Sequence, residues 1–292
     1  MHEEDILRNA PSVLTQAQRR QFFADGFLTL ENYVDAGRLL KLNAALDEMI
    51  EASRSLAESN GAYVLEAGHS AASPRLHRIS NPQDLHPAVW DFFLDPLLTD
   101  LAADVVGPDV KFHHAKLNLK APKGVERFQW HQDIVGWPHT DFSPVTFGIY
   151  LNGCSSDQGP LSLLPGSHRG PLHDIFNEAG DLIQGAAESL KGREAEIVAP
   201  TGGSGTLLIL NCRIIHGSGL NTSDRARPLL LPVYSSADSF PYTPSRLPTP
   251  RMGEIVRGQP ARFASFDASR CPLAPNDAKG PWSRKGVARE AY

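Results

Sequence analysis

Apolar residues recur at two different spacings along the chain, and the spacing changes near Gly107. Leu39, Leu40, Leu42, Leu46 and Ile50 fall close to a helical period, so Asp35 to about Ala57 predicts an amphipathic helix packed on a sheet. Leu14 to Gly26 reads as a short helix with Thr15 as its N-cap and Gly26 as its terminator, followed by a strand at Phe27-Leu-Thr-Leu30. Val89, Phe92, Phe93, Leu97, Leu98 and Leu101 give a second helical stretch from Leu85 to Val106. From Ala57 to Pro82 the period fails, with Asn60-Gly61, Gly68 and Ser73-Pro74 breaking it. That segment predicts a long loop, of the kind that serves as a lid or binding loop, with Arg75, His77 and Arg78 as its charged members.

Beyond Gly107-Pro108 short strands dominate: Val110 to Lys120, Phe128 to His131, Val145 to Leu151, Leu161 to Leu164, Glu196 to Ala199, Thr206 to Asn211 and Pro228 to Ser235. Gly/Pro turns punctuate them, which predicts an all-β core with flanking helices, a sandwich or jelly roll. Leu172 to about Gly192 reads as a loop or weak helical insert. The chain thus divides into a mainly helical part with a lid loop (14–107), a jelly-roll core (108–236) and a C-terminal extension (237–292), all in one domain. The extension is rich in Pro and Arg, including Pro241, Pro250, Pro272, Pro275 and Pro281, and its position allows it to wrap the barrel and close a site.

Composition narrows the function classes. A net charge of −5, mild and mixed, without a basic cluster gives no reason to expect a nucleic acid or an anionic membrane surface as partner. Three cysteines without C-x-x-C spacing argue against a disulfide scaffold or a structural zinc site and fit a reducing cytoplasm. The N-terminus Met1-His-Glu-Glu-Asp-Ile-Leu is acidic where a signal peptide is basic, and no apolar run reaches the ~18 residues of a membrane span.

Candidate chemistry sits in Phe128-Gln-Trp-His-Gln-Asp133, where His131 and Asp133 are two residues apart at a strand end and so face one side. A lone His-x-Asp is weak, since an exposed turn or a hydrogen-bonded pair has the same pattern. Leu207 to Gly219, an apolar strand ending in His216, supplies a third ligand, and two histidines with one carboxylate leave three positions open, as in non-heme Fe(II) oxygenases. Arg227 emerges from the next apolar run and needs an anion, for which a bidentate carboxylate is the natural partner. His168 is read as structural, because Gly159-Pro160 and Pro165-Gly166 bracket a short strand as tight turns.

Together His131-Gln-Asp133, Gly159-Pro-Leu-Ser-Leu-Leu-Pro-Gly-Ser-His-Arg169 and His216-Gly-Ser-Gly-Leu-Asn221 with Arg227 resemble the phytanoyl-CoA dioxygenase family, which includes ectoine hydroxylase. The resemblance runs from about Leu14 to Tyr234 and implies a double-stranded β-helix, a cupin-like jelly roll. It implies Fe(II) at His131, Asp133 and His216, with 2-oxoglutarate and O2 as cosubstrates. Arg227 would pair with the 5-carboxylate of 2-oxoglutarate, with Ser218, Asn118 and Gln132 as further cosubstrate contacts. His168 is outside the ligand set. The implied reaction hydroxylates a C–H of a small-molecule metabolite and releases succinate and CO2.

Related halogenases have a small residue at the Asp133 position, so the carboxylate here implies oxygen transfer; desaturation, epoxidation or cyclisation share the cofactor chemistry. For substrate, Trp137 matches an aromatic of the ectoine hydroxylase pocket and would suit an apolar or cationic molecule. Further substrate candidates are His114, which either lines the pocket or is a satisfied core histidine, Arg78 on the loop, and Tyr150, with core packing expected for at least one of Tyr150 and Phe147. Ile134-Val-Gly136 departs from the ectoine hydroxylase pattern, and no basic site for CoA phosphates is visible. Readings from other classes are a metal-binding jelly-roll protein and a zinc-type hydrolase or isomerase in which Arg227 holds substrate. A monomer or homodimer is expected.

Overall fold

The computed structural model describes residues 3–125, 127–177, 183, 185–267, 270, 271 and 273. Pro272, Pro275 and Pro281 of the extension lie outside these. An N-terminal turn of helix, α1 (Glu3–Arg8), precedes α2 (Gln16–Asp25), which is closed by a capping box between Thr15 and Gln18. It ends at Gly26, whose φ of 82° and tight seat against the His168 ring exclude a side chain. Strand β1 (Phe27–Leu30) follows, and then α3 (Ala36–Ser53), started by the Asp35 carboxylate accepting from the amides of Gly37 and Arg38.

The second helical stretch is two helices, α4 (Pro87–Phe93) and α5 (Pro96–Val106). Pro96 cannot continue α4, and Asp95 caps the new helix while taking both prongs of Arg38 at 2.7 and 3.0 Å. That pair ties α3 to α5. The segment expected as one long loop is instead a hairpin, β2 (Tyr63–Leu65) and β3 (Leu76–Ser80), with β3 paired to β4 (Val110–Lys120). Its short strands, with His77 and Arg78 inside Leu-His-Arg-Ile-Ser, carry no alternation; Arg78 finds its pairing partner Asn118 forty residues downstream.

The remaining strands are β5 (Phe128–His131), β6 (Val145–Tyr150), β7 (Leu161–Leu163), β8 (Leu207–Asn211), β9 (His216–Ser218), β10 (Arg227–Ser236) and β11 (Ile255–Arg257). They form two sheets, β1-β8-β6-β10-β4-β3-β2 with β11 against β4, and β5-β9-β7. The architecture is a jelly roll with helices on the outer face of the larger sheet. Glu196 to Ala199 is no strand: a 3-10 turn covers Glu194–Glu196, and only a single bridge joins Val198 to Leu163. His216 opens a strand of the smaller sheet rather than ending β8, because the chain turns at 212–215 and crosses between sheets.

The apolar runs of β8 and β10 are continuous because both faces are covered. Leu207 and Ile209 pack under the helices with Phe93 and Leu117, while Leu208 and Leu210 face the smaller sheet with Leu163 and Leu229. Each such buried leucine contributes about 1.5–3 kcal/mol. Strand β4 differs: Ala115, Leu117 and Leu119 join the helical core, but Lys116, Asn118 and Lys120 on the opposite face are buried and polar. A register shift at Val233/Tyr234 leaves His113 bulged from β4. The described extension runs along the outer edge, where Asn81 holds the carbonyl of Pro248 at 3.0 Å and β11 pairs with β4. None of its described residues lines the cavity discussed next.

Candidate metal centre and cavity

Strand pairing sets His131 directly opposite His216 in β5 and β9, and the following turn carries Asp133 in at the first residue of a 3-10 segment. One ligand atom from each of the three lies within 4.8 Å of the others. His131 Nε2 is 3.6 Å and His216 Nε2 3.9 Å from Asp133 Oδ1, an oxygen that is buried without a hydrogen-bond partner among the described residues. Both rings are oriented from behind. His131 Nδ1 donates to the Gln129 carbonyl at 2.7 Å and His216 Nδ1 to the Ile214 carbonyl at 3.0 Å. Carbonyls only accept, so each neutral ring carries its proton on Nδ1 and turns the Nε2 lone pair inward.

Asp133 is held by Thr146 Oγ1, which donates to Oδ2 at 2.8 Å. Burial opposes its ionisation, yet Lys116, His216 and His131 outweigh that and hold the carboxyl well below the usual range. Burial, with His131 beside it, lowers His216 to about 4. Two neutral imidazoles, an ionised carboxylate and an orphaned buried oxygen are the donor set of a divalent transition-metal site, so the residues fit an iron(II) ion. Thr146→Val removes the support from Asp133 and is expected to weaken metal affinity by about 10–100-fold, read by competition with a chelator.

The three residues lie at a cavity of about 470 Å³ between the sheets. Arg227 enters it from β10 opposite Lys120; it is 1 % exposed, its Nε and Nη1 have no partner among the described residues, and burial lowers its pKa. Ser218 Oγ and Asn118 Oδ1, also lining the cavity, are likewise unpartnered. Arg78 lines it too, from the hairpin opposite Asn118. So His131, Asp133, His216, Arg227, Ser218, Asn118 and Arg78 come together.

Four expected contacts sit elsewhere. Gln132 is spent bracing the backbone: its amide donates to the Pro171 and Arg213 carbonyls at 3.1 and 2.8 Å and its oxygen accepts from His173 N. Tyr150 is a core residue whose hydroxyl accepts from Leu161 N at 3.1 Å. His114 and Trp137 meet edge to face behind the cavity wall, with ring centroids 4.8 Å apart, and the indole face is taken by Lys116 Nζ at 4.5 Å. A cationic guest at Trp137 is thus preempted by the protein's own lysine. His168 donates to the Phe23 carbonyl at 3.0 Å, in the structural role expected.

Lys116 and Thr146 escaped sequence reasoning. The alternation of β4 was their available signal for Lys116, which shares the face of Asn118; nothing local marks Thr146, whose role depends on the fold.

His113, His114 and His139 form a second buried histidine group, each with Nε2 unpartnered among the described residues. Burial lowers His139 to about 4 and the other two well below 6.5. The unfolded chain therefore binds more protons than the fold below pH ~6.5, and stability falls as pH drops from there, by up to about 1.4 kcal/mol per pH unit for each histidine. Urea unfolding of metal-free protein at pH 7.5 and 5.5 checks this; equal midpoints would contradict it.

A jelly roll with a two-histidine, one-carboxylate group beside a cavity defines the class of non-heme metal oxygenases. The sequence model of the phytanoyl-CoA dioxygenase (PhyH) family matches residues 22–229, and the chain belongs to that family and is a dioxygenase. A probable alpha-ketoglutarate-dependent hypophosphite dioxygenase of Stutzerimonas stutzeri is 30% identical over 230 residues, covering 77% of this chain and 79% of that protein. An ectoine dioxygenase of Sphingopyxis alaskensis is 27% identical over 271 residues, 85% of each. The crystal structure of EctD from S. alaskensis with bound Fe shares the fold at a TM-score of 0.67 and 24% identity, covering 86% and 87% of the two chains. Among the described residues no helix is long and apolar enough to cross a membrane.

Proposed function

We propose that this dioxygenase uses iron(II) held by His131, Asp133 and His216 and 2-oxoglutarate held by Arg227, with Ser218 and Asn118 beside it, to hydroxylate a small molecule. The observation that carries the reading is the pairing of two unsatisfied groups in one cavity: the inward donor set ending in Asp133 Oδ1, and a buried guanidinium whose Nε and Nη1 have no partner among the described residues. A buried arginine without an anion is costly, and a ligand carboxylate is the group that relieves it. When bound, ion and cosubstrate supply the oxidising chemistry, with one oxygen atom entering the substrate and the other leaving in succinate.

This chain's own residues bind and shield. The flanking sheets exclude bulk water, the Nδ1 bonds of both histidines fix their rings, and Thr146 keeps Asp133 from rotating away. The cavity's size suits a small metabolite better than an enclosed acyl-CoA. Anaerobic protein loaded with Fe(II) and then 2-oxoglutarate should develop the weak visible metal-to-ligand charge-transfer band of the chelate. Iron uptake without the band would sink the cosubstrate assignment and favour a hydrolytic or binding role.

A further inference from the structure

Arg227 is one of four Arg and Lys side chains that line the cavity, and the proposed function uses it alone; Arg127 is exposed to solvent, which leaves Lys116 and Arg78 as the further cations of the interior. Lys116, 8 % exposed on the inner face of β4, makes no hydrogen bond or ion pair with a described residue. Its Nζ rests on the Trp137 ring, which holds the ammonium without neutralising it. Arg78 projects from β3, where Ser80 of the same strand is paired with Lys116; its Nε is buried and unpartnered, and it makes no ion pair among the described residues. Lys116 and Arg78 interact unfavourably with each other, and Asp133, the carboxylate acting on Lys116, belongs to the metal-ligand group.

In the loaded site the two carboxylates of 2-oxoglutarate offset the two charges of iron(II), and Asp133 is a single negative charge, nearest in effect to Lys116, against Lys116, Arg78 and Arg227 together. Two positive charges are left over, in a space walled by apolar side chains such as Leu210, Leu229 and Leu231, where uncompensated charge is expensive. Lys116 lies opposite Leu231 and Lys120 opposite Arg227, four residues apart along β4, about 13 Å at the backbone, and Arg78, paired with Asn118, stands between the two levels. A carboxylate seated on Arg227 is therefore away from Lys116.

We propose that the substrate carries a small anionic group, a carboxylate or a phosphorus oxyanion, bound jointly by Lys116 and Arg78. The inference rests on the proposed function for the rest of the site. It gives the hairpin that carries Arg78 a substrate-positioning purpose: the anion bridges β3 and β4 and fixes which part of the molecule faces His131, Asp133 and His216. Arg78 offers a planar fork and Lys116 a point charge, a combination suited to an oxyanion with three or fewer oxygens.

The test uses the full chain loaded anaerobically with Fe(II) and 2-oxoglutarate, with binding read by calorimetry. The probes are propionate, methylphosphonate, the neutral propionamide and the cationic propylammonium. At least one of the two anions should bind, and which one distinguishes a carboxylate from a phosphorus oxyanion; propionamide and propylammonium should not. Lys116→Met and Arg78→Met should each weaken that binding at least tenfold, Lys116→Arg should restore most of it, and 2-oxoglutarate affinity from the charge-transfer band should stay within twofold. Unfolding midpoints establish that the variants are folded. Equal binding of propionamide, binding of neither anion, or loss of 2-oxoglutarate affinity in the folded Met variants overturns the proposal, the last by giving both cations to the cosubstrate. Absence of the band in the wild type, with anion binding still dependent on Lys116 and Arg78, overturns the cosubstrate reading and leaves this one standing.

Discussion

His216→Ala is expected to abolish iron retention and lower succinate release by on the order of a thousand-fold, the equivalent of about 4 kcal/mol of lost transition-state stabilisation. Two donors, His131 and Asp133, would remain of the three, and neither could hold the third direction in place. His216 Nε2 and Asp133 Oδ1, 3.9 Å apart, are brought together by the pairing of β9 with β5, so no neighbouring side chain substitutes. The loss should not be one of folding. A buried neutral histidine contributes nothing to acid stability, so the variant should unfold at the wild-type midpoint at pH 7.5 and be less sensitive to lowered pH. Iron stoichiometry by chelator release, with His216→Gln as a volume-matched control, measures this; full iron occupancy in the alanine variant would remove His216 from the ligand set.

Arg227→Met should raise the dissociation constant of 2-oxoglutarate by at least a hundredfold, since a buried charge-assisted pair is worth about 2–5 kcal/mol when one side is removed. The same substitution should stabilise the ligand-free protein. The guanidinium is 1 % exposed, with Nε and Nη1 unpaired among the described residues, and methionine of similar length avoids a desolvation cost of about 1–3 kcal/mol. Addition of 2-oxoglutarate to the iron-loaded protein should reverse the order, raising the midpoint of the wild type and leaving the variant unmoved. Thermal unfolding with and without cosubstrate reads both effects. A variant that is destabilised without ligand would show that Arg227 has a structural partner.

Legibility in the sequence followed how local each determinant was. The capping box at Thr15 and the stop at Gly26 are contained in a dozen residues, and α2 has those ends. His131 and Asp133 were readable as a pair from their spacing, but only His131 ends β5; Asp133 is carried in by the 3-10 turn that follows, not by strand alternation. The hairpin of β2 and β3 was not readable, since its strands are three and five residues long and gain their hydrogen bonds from β4. Pro96 was the overlooked signal that splits the second helical stretch. Trp137, Gln132, His114 and Tyr150 are near the centre in sequence or in alternation, but the side a residue turns to depends on what fills the other side. Lys116 already covers the Trp137 ring, two carbonyls hold Gln132, and the bulge at His113 packs His114 against its neighbour.

The direct cross-strand pairing of His131 with His216 has a consequence for assembly of the protein. Side chains alternate along a strand, so a slip of one residue between β5 and β9 would turn one imidazole to the outside. β5 is already irregular between Phe128 and His131, and both strands are short, which makes their register weakly specified by packing alone. An ion held by both rings, as proposed above, would reward a single alignment. The metal would then act as a proofreader of strand pairing, selecting the correct register while the smaller sheet closes over the larger.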